Sequence, residues 1–139
     1  MKNIFLDTNV LMDILANRKP FYSSSSQIYI LGLLKKVKLF TSPNTITTLH
    51  YLLKKLVSEE SIRKSLEEVI EVIVIIPIDS IIIKKSLKSN HKDFEDAIQI
   101  ISAQSIIDMD CIVTRDKKDY KFAEIDVFTP DEFLDKTNY

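Results

Sequence analysis

Short apolar runs alternate along this chain with longer stretches of helical periodicity. Residues 4–6, 39–41, 72–78, 111–114 and 126–128 are rich in aliphatic, β-branched and aromatic side chains and have the lengths of buried strands. Between them Ile46, Leu49, Leu53 and Leu56 recur at three- and four-residue spacing, as do Ile62, Leu66, Val69 and Ile73, which predicts two amphipathic helices. The first run turns at Asp7 directly into another periodic stretch. Helices are also predicted over residues 24–37 and 79–87, and Pro130 opens a short C-terminal one. The serine-rich stretch 21–27 reads as a loose connection. Strands alternating with helices predict an α/β fold, with a parallel sheet covered by helices on both faces.

In such sheets ligands gather beyond the carboxyl ends of the strands. Asp7 ends the first run, and Asp116 follows the fourth, so both are placed to project from that edge. A third acidic cluster, Asp93-Phe94-Glu95-Asp96, opens a helical stretch. Each carboxylate alone has an ordinary structural explanation, as an N-cap, a partner of the helix dipole or a turn residue. Helix geometry weakens that explanation for Asp96. It heads the column Asp96, Ile100, Ala103, Ile107, otherwise entirely apolar, whereas Glu95 shares a polar face with Gln99 and Ser102. An inward carboxylate costs several kcal/mol unless it is paired or metal-bound, so Asp96 needs a partner. Asp93 lies on the flank of the inward face, to cap the helix or orient the site from behind. Brought together, the three clusters make an oxygen-only pocket suited to Mg²⁺ or Mn²⁺.

Composition narrows the alternatives. The chain has 139 residues, the size of one domain, with 45% apolar and 28% charged residues. A single glycine excludes the glycine-rich loops of nucleotide-binding folds. The formal net charge of -1 means that any nucleic-acid contact must come from local basic patches. His50 and His91 form no ligand pair, and Cys111 stands alone, which argues against zinc and against a disulfide framework. The N-terminal apolar run is interrupted by Asp7, Asn9 and Asp13, unlike a signal peptide. The most apolar segment, around residues 69–83, contains Glu71, Pro77 and Asp79 and falls short of the ~20 apolar residues that span a bilayer. A cytoplasmic protein with no membrane contact is expected.

Taken together, Phe5-Leu6-Asp7-Thr8-Asn9-Val10-Leu11, Asp93-Phe94-Glu95-Asp96-Ala97-Ile98 and Thr114-Arg115-Asp116-Lys117-Lys118-Asp119-Tyr120 resemble the three motifs of the PIN-domain family of metal-dependent ribonucleases, including the VapC-like toxins of toxin–antitoxin pairs. The resemblance covers nearly the whole chain. It implies a three-layer α/β/α PIN-like fold over residues 1–139, with a central parallel sheet of four or five strands. It implies Asp7, Asp96 and Asp116 as metal ligands, Asp119 as a fourth carboxylate beside them, and Thr8, Asn9 and Thr114 as supporting residues. RNA is the implied substrate, with a small antitoxin protein and a second copy of the chain as partners. Arg115, Lys117 and Lys118 beside the last aspartates are candidate RNA contacts, since cations next to an acidic metal pocket suit a phosphate backbone.

One departure stands out. Many members carry a glutamate on the helix after the second strand, where this chain has Thr48. The pocket is therefore short of one negative charge. The expected function is a Mg²⁺- or Mn²⁺-dependent endoribonuclease. The alternative is a catalytically weak or inactive PIN-like scaffold that binds RNA or protein. A receiver-like signalling domain, with Asp79 after the middle strand, is a more distant alternative.

Overall fold

The structure, a computed structural model, describes residues 1–139. Strands β1 (Lys2–Leu6), β2 (Val37–Thr41), β3 (Ile73–Ile75), β4 (Cys111–Val113) and β5 (Asp126–Phe128) form one sheet in the order β3-β2-β1-β4-β5, all neighbours parallel. They are joined by α1 (Thr8–Leu15), α2 (Tyr22–Leu33), α3 (Pro43–Leu53), α4 (Glu59–Val72), α5 (Ser80–Lys88), α6 (Phe94–Gln104), a 3-10 turn (Lys117–Tyr120) and a C-terminal α7 (Pro130–Thr137).

Side chains alternate across a strand with a period of two, and here the alternation builds two cores. Ile4, Leu6, Leu39, Cys111 and Val113 face one side, packing with Val10, Ile28, Leu49, Ile62 and Phe133 from α1, α2, α3, α4 and α7. Phe5, Phe40 and Ile112 face the other, against Ile100 and Ala103 of α6 and Tyr120 of the 3-10 turn. The result is the three-layer α/β/α arrangement with five parallel strands. Because both faces are covered, the strands read as continuous apolar runs.

Several local expectations shift. The serine-rich stretch is not a loose connection but lies within α2. Its small Ser25 is fully buried, so the helix packs closely there. The predicted helix over residues 24–37 stops at Leu33, because Lys35, in the left-handed region at φ 57°, turns the chain into β2. The strand expected over 72–78 shrinks to Ile73–Ile75, since α4 runs through Val72 and Pro77 has no N–H for a ladder. The helix predicted through Leu56 ends at Leu53, leaving Leu56 exposed. Asp79 caps α5, accepting from the Ile82 amide at 3.0 Å, which is the structural role open to it in the receiver-like alternative. No helix is long and apolar enough to cross a membrane.

β1 lies between β2 and β4: the chain runs outward from β1 through β2 to β3, then crosses back to β4 on the other side of β1. That is a topological switch point, where the crevice beyond the strand ends is open to ligands. Asp7 extends this junction by one residue, its amide donating to the Val113 carbonyl at 3.0 Å.

Candidate metal centre

Asp7 sits at the end of β1 and also caps α1: its Oδ1 accepts from the Thr8 amide at 2.8 Å. The ordinary cap and the expected ligand are one residue, and its side chain is nearly buried. Oδ1 also accepts from Gln99 Nε2 at 3.3 Å, while Oδ2 accepts from the Thr114 hydroxyl at 2.8 Å and from Asn9 Nδ2 at 3.4 Å. Four neutral donors therefore occupy the acceptor sites of one carboxylate, and none of them supplies a positive charge.

Thr114, fully buried just past β4, ties this centre to Asp116. Its hydroxyl oxygen accepts from the Asp116 amide at 3.1 Å and from Asn9 Nδ2 at 3.2 Å. The same Asn9 amide group donates to Asp116 Oδ2 at 3.1 Å, and Asn9 Oδ1 accepts from the Arg115 amide at 3.2 Å. Asn9 thus bridges the carboxylates of Asp7 and Asp116. Thr8 supports the opposite wall through a 3.0 Å bond between its hydroxyl and that of Thr45.

Asp96 enters from the other core. Asp93 caps α6, accepting from the Asp96 amide at 3.0 Å, so it orients Asp96 through the backbone. Asp7, Asp96 and Asp116 line one cleft of about 230 Å³, with Thr8, Asn9, Glu95 and Gln99, and Thr48 is also in its wall. Desolvation, then the charges of Asp93, Asp7, Asp119 and Asp116, push the Asp96 carboxyl up to about 7. No three Asp, Glu, His or Cys side chains stand close enough to enclose an ion as a ready-formed cage. Asp119 does not line this cleft. It lines an adjoining one of about 250 Å³, whose walls include Asp96, His91, Lys92, Lys118, Lys121 and Phe122.

The other predicted contacts fare differently. Arg115 is held by the fully buried Asp13 at 2.6 and 3.2 Å, and its guanidinium stacks 3.9 Å from the Phe21 ring centroid. Lys117 pairs with Glu132 at 2.8 Å. Lys118 alone of the three opens on a cleft beside Asp96.

Three features of α6 and its surroundings escape the helical pattern. Gln99 and Ser102, placed by spacing on a polar face with Glu95, are buried, because α6 is covered by both the sheet and α5. Gln99 Nε2 donates to Thr45 Oγ1 at 2.8 Å as well as to Asp7, and its Oε1 accepts from the Ser42 hydroxyl. It joins the ends of β1, β2 and α6 at the floor of the cleft. Ile107, the last member of the apolar column, is almost wholly exposed, since α6 stops at Gln104. Tyr120, fully buried, has a hydroxyl without a hydrogen-bond partner, and burial followed by the charges of Asp7 and Asp96 pushes its phenol far up.

The chain is similar along 99% of its length to ribonuclease VapC1 of Aquifex aeolicus (strain VF5), with 30% identity over 142 residues and 96% of that protein covered. Its fold is similar to that in a toxin–antitoxin complex from Klebsiella pneumoniae, with a TM-score of 0.66, 26% identity and 91% and 97% of the two chains covered. VapBC2 from Rickettsia felis, bound to a DNA fragment from its promoter, shares the fold at a TM-score of 0.62 and 16% identity, over 91% of this chain and 96% of that one. The family model described as PIN domain matches residues 3–118. The chain belongs to the PIN domain family.

Proposed function

We propose that this protein is a Mg²⁺- or Mn²⁺-dependent endoribonuclease whose ion is held by Asp7, Asp96 and Asp116. The observation that carries the reading is the convergence of these three carboxylates, from two strand ends and a helix, on one cleft with no paired cation in it. The donor set is all oxygen, which fits a hard ion. The raised Asp96 carboxyl marks a site whose negative charge lacks a counterpart. Mg²⁺ keeps several of its waters and needs only one or two carboxylates, so the lack of a closed three-residue cage suits it. At Asp7 the 3.3 Å and 3.4 Å contacts from Gln99 and Asn9 are the weak ones, and these are the bonds that an ion displaces.

When bound, the ion supplies an activated water and counter-charge for phosphodiester cleavage. The Thr8 amide and the Thr114 hydroxyl hold Asp7, Asn9 and the Thr114 hydroxyl hold Asp116, and Gln99 stays anchored on the floor by Thr45 and Ser42. Asp119, across Asp96 in the adjoining cleft, orients water rather than binding directly. Lys92, Lys118 and Lys121 there give the RNA strand a path away from the acids.

Similarity to a ribonuclease and to toxin–antitoxin complexes supports a toxin paired with a small antitoxin, acting in the cytoplasm. Exposed Leu33, Leu34, Leu56 and Val57 supply apolar surface for a homodimer. A second reading, a scaffold that binds RNA without cutting it, is favoured by Thr48 in the cleft wall where many relatives in the resemblance carry an acid. One assay separates the two. Wild type cuts single-stranded RNA with Mn²⁺ and stops when the ion is chelated, while Asp7→Asn and Asp96→Asn fold normally by circular dichroism and do not cut. Equal RNA cleavage by all three proteins would remove the nuclease reading, and metal-independent RNA binding without cleavage would establish the scaffold.

A further inference from the structure

Arg18 has no part in the mechanism above, yet it is the only basic residue lining the acidic cleft. The four ion pairs of the chain, His50–Glu59, Arg63–Glu59, Arg115–Asp13 and Lys117–Glu132, leave it out. Its exposed guanidinium makes no hydrogen bond within the chain, so its five N–H donors are free.

The base of this side chain is nevertheless fixed. Asn17 adopts the left-handed conformation at φ 51° after the last turn of α1, a position that asparagine tolerates. The Asn17 amide donates to the Ile14 carbonyl at 3.3 Å and the Arg18 amide to the Asp13 carbonyl at 2.9 Å, the two bonds of a Schellman motif. The Arg18 carbonyl then accepts from the Tyr22 amide at 2.7 Å, at the start of α2. Asp13 also grips Arg115, the neighbour of Asp116. The backbone of Arg18 and the loop carrying Asp116 are thus both anchored on Asp13.

A cation in an acid-lined cleft serves either as a counter-ion to the carboxylates or as a receptor for an anionic ligand. The first role calls for a carboxylate within ion-pair range, and Arg18 has none. We propose that Arg18 contacts the scissile phosphate of the RNA, donating two N–H groups to its non-bridging oxygens. The planar fork matches a phosphate as a lysine ammonium does not. Lining the same cleft as Asp7 and Asp116, it counters the charge that builds on those oxygens as the water oxygen bonds to phosphorus, the bond to the leaving oxygen breaks and a water proton passes to that oxygen. This rests on the ribonuclease reading.

The test compares wild type, Arg18→Ala and Arg18→Lys on a labelled single-stranded oligoribonucleotide of twelve nucleotides. Three quantities are measured: single-turnover cleavage with Mn²⁺, Mn²⁺ affinity by calorimetry, and RNA affinity by anisotropy in Ca²⁺, with gels to show that the RNA stays whole. Arg18→Ala is expected to cut about 100-fold more slowly and to bind RNA about tenfold more weakly. Arg18→Lys should recover much of the binding and little of the rate, and Mn²⁺ affinity should be the same in all three. Unchanged cleavage and RNA affinity in Arg18→Ala would overturn the proposal, as would tighter Mn²⁺ binding with RNA affinity unchanged, the mark of a counter-ion. If wild type binds RNA and leaves it uncut, the nuclease reading fails, and with it the scissile role. An affinity loss in Arg18→Ala would then leave a phosphate contact only.

Discussion

Burial and the neighbouring carboxylates displace the proton equilibrium of Asp96, and the sign of the displacement is testable. Its carboxyl is pushed from the ordinary 3.8 up to about 7, so the folded protein binds this proton more tightly than the unfolded chain does. The stability it contributes to the metal-free protein is complete below the unfolded value and is lost as pH rises through about 7. A cation must displace that proton. Mn²⁺ affinity is therefore expected to climb between pH 5.5 and 8, and calorimetry at stepped pH should show the climb flattened in Asp96→Asn. A pH-independent affinity in wild type would contradict the assignment of Asp96 as a ligand. A second expectation concerns Asp13 and Arg115. Asp13 is fully buried while Arg115 keeps about a quarter of its side chain exposed. Arg115→Ala strands a buried charge and should cost about 3–5 kcal/mol in urea unfolding. Asp13→Ala frees a cation that can reach water and should cost less; the reverse order would show that burial does not govern the pair. At this scale the sequence made Asp7, Asp96 and Asp116 legible, because carboxylates at strand ends and on an apolar helix column stand out. Gln99 and Arg18 were not legible. An amide on a helix that turns out to be covered on two sides, and an arginine in a loop, have no pattern of their own until the fold closes around them.

At the scale of elements, the strands were easier to place than the helix ends. Apolar runs covered on both faces carry a strong signal, and all five appear in the sheet. Helix ends depend on single residues, as Lys35 at positive φ and Ala16 closing α1 show. The serine tract misled because serine favours turns in isolation, whereas here small side chains let α2 lie close to its neighbours. The only glycine of the chain lies at the other end of the same helix and marks a close approach to β2. A Cβ added at Gly32 would stand 2.4 Å from Leu39 Cδ1 and 2.9 Å from its Cγ. Leu39 is buried in β2 and has little room to yield. Gly32→Ala should therefore destabilise the fold by about 1–3 kcal/mol despite the better helix propensity of alanine. Equal or greater stability by thermal unfolding would mean that α2 and β2 separate more easily than their packing implies.

For the whole molecule, the order β3-β2-β1-β4-β5 does what no local pattern can. It sets β1 beside β4, although about a hundred residues separate Asp7 from Asp116, and it hangs α6 over the same edge from the opposite core. The alternation of strands and helices implied a sheet of this type, but the strand order became visible only in the fold. The two cores meet at the cleft, one contributing Asp7 and Asp116 through β1 and β4, the other Asp96 through α6. With Thr48 in its wall, the cleft offers Asp7, Asp96 and Asp116 as the proposed metal ligands. A crystal structure of wild type grown with Mn²⁺, with anomalous scattering recorded, tests this most directly. The expected result is one anomalous peak in the cleft, about 2.0–2.3 Å from an oxygen of Asp7, with Asp96 or Asp116 as a further direct or water-bridged ligand. A cleft without a peak at saturating Mn²⁺, in crystals where the protein is intact, would contradict it.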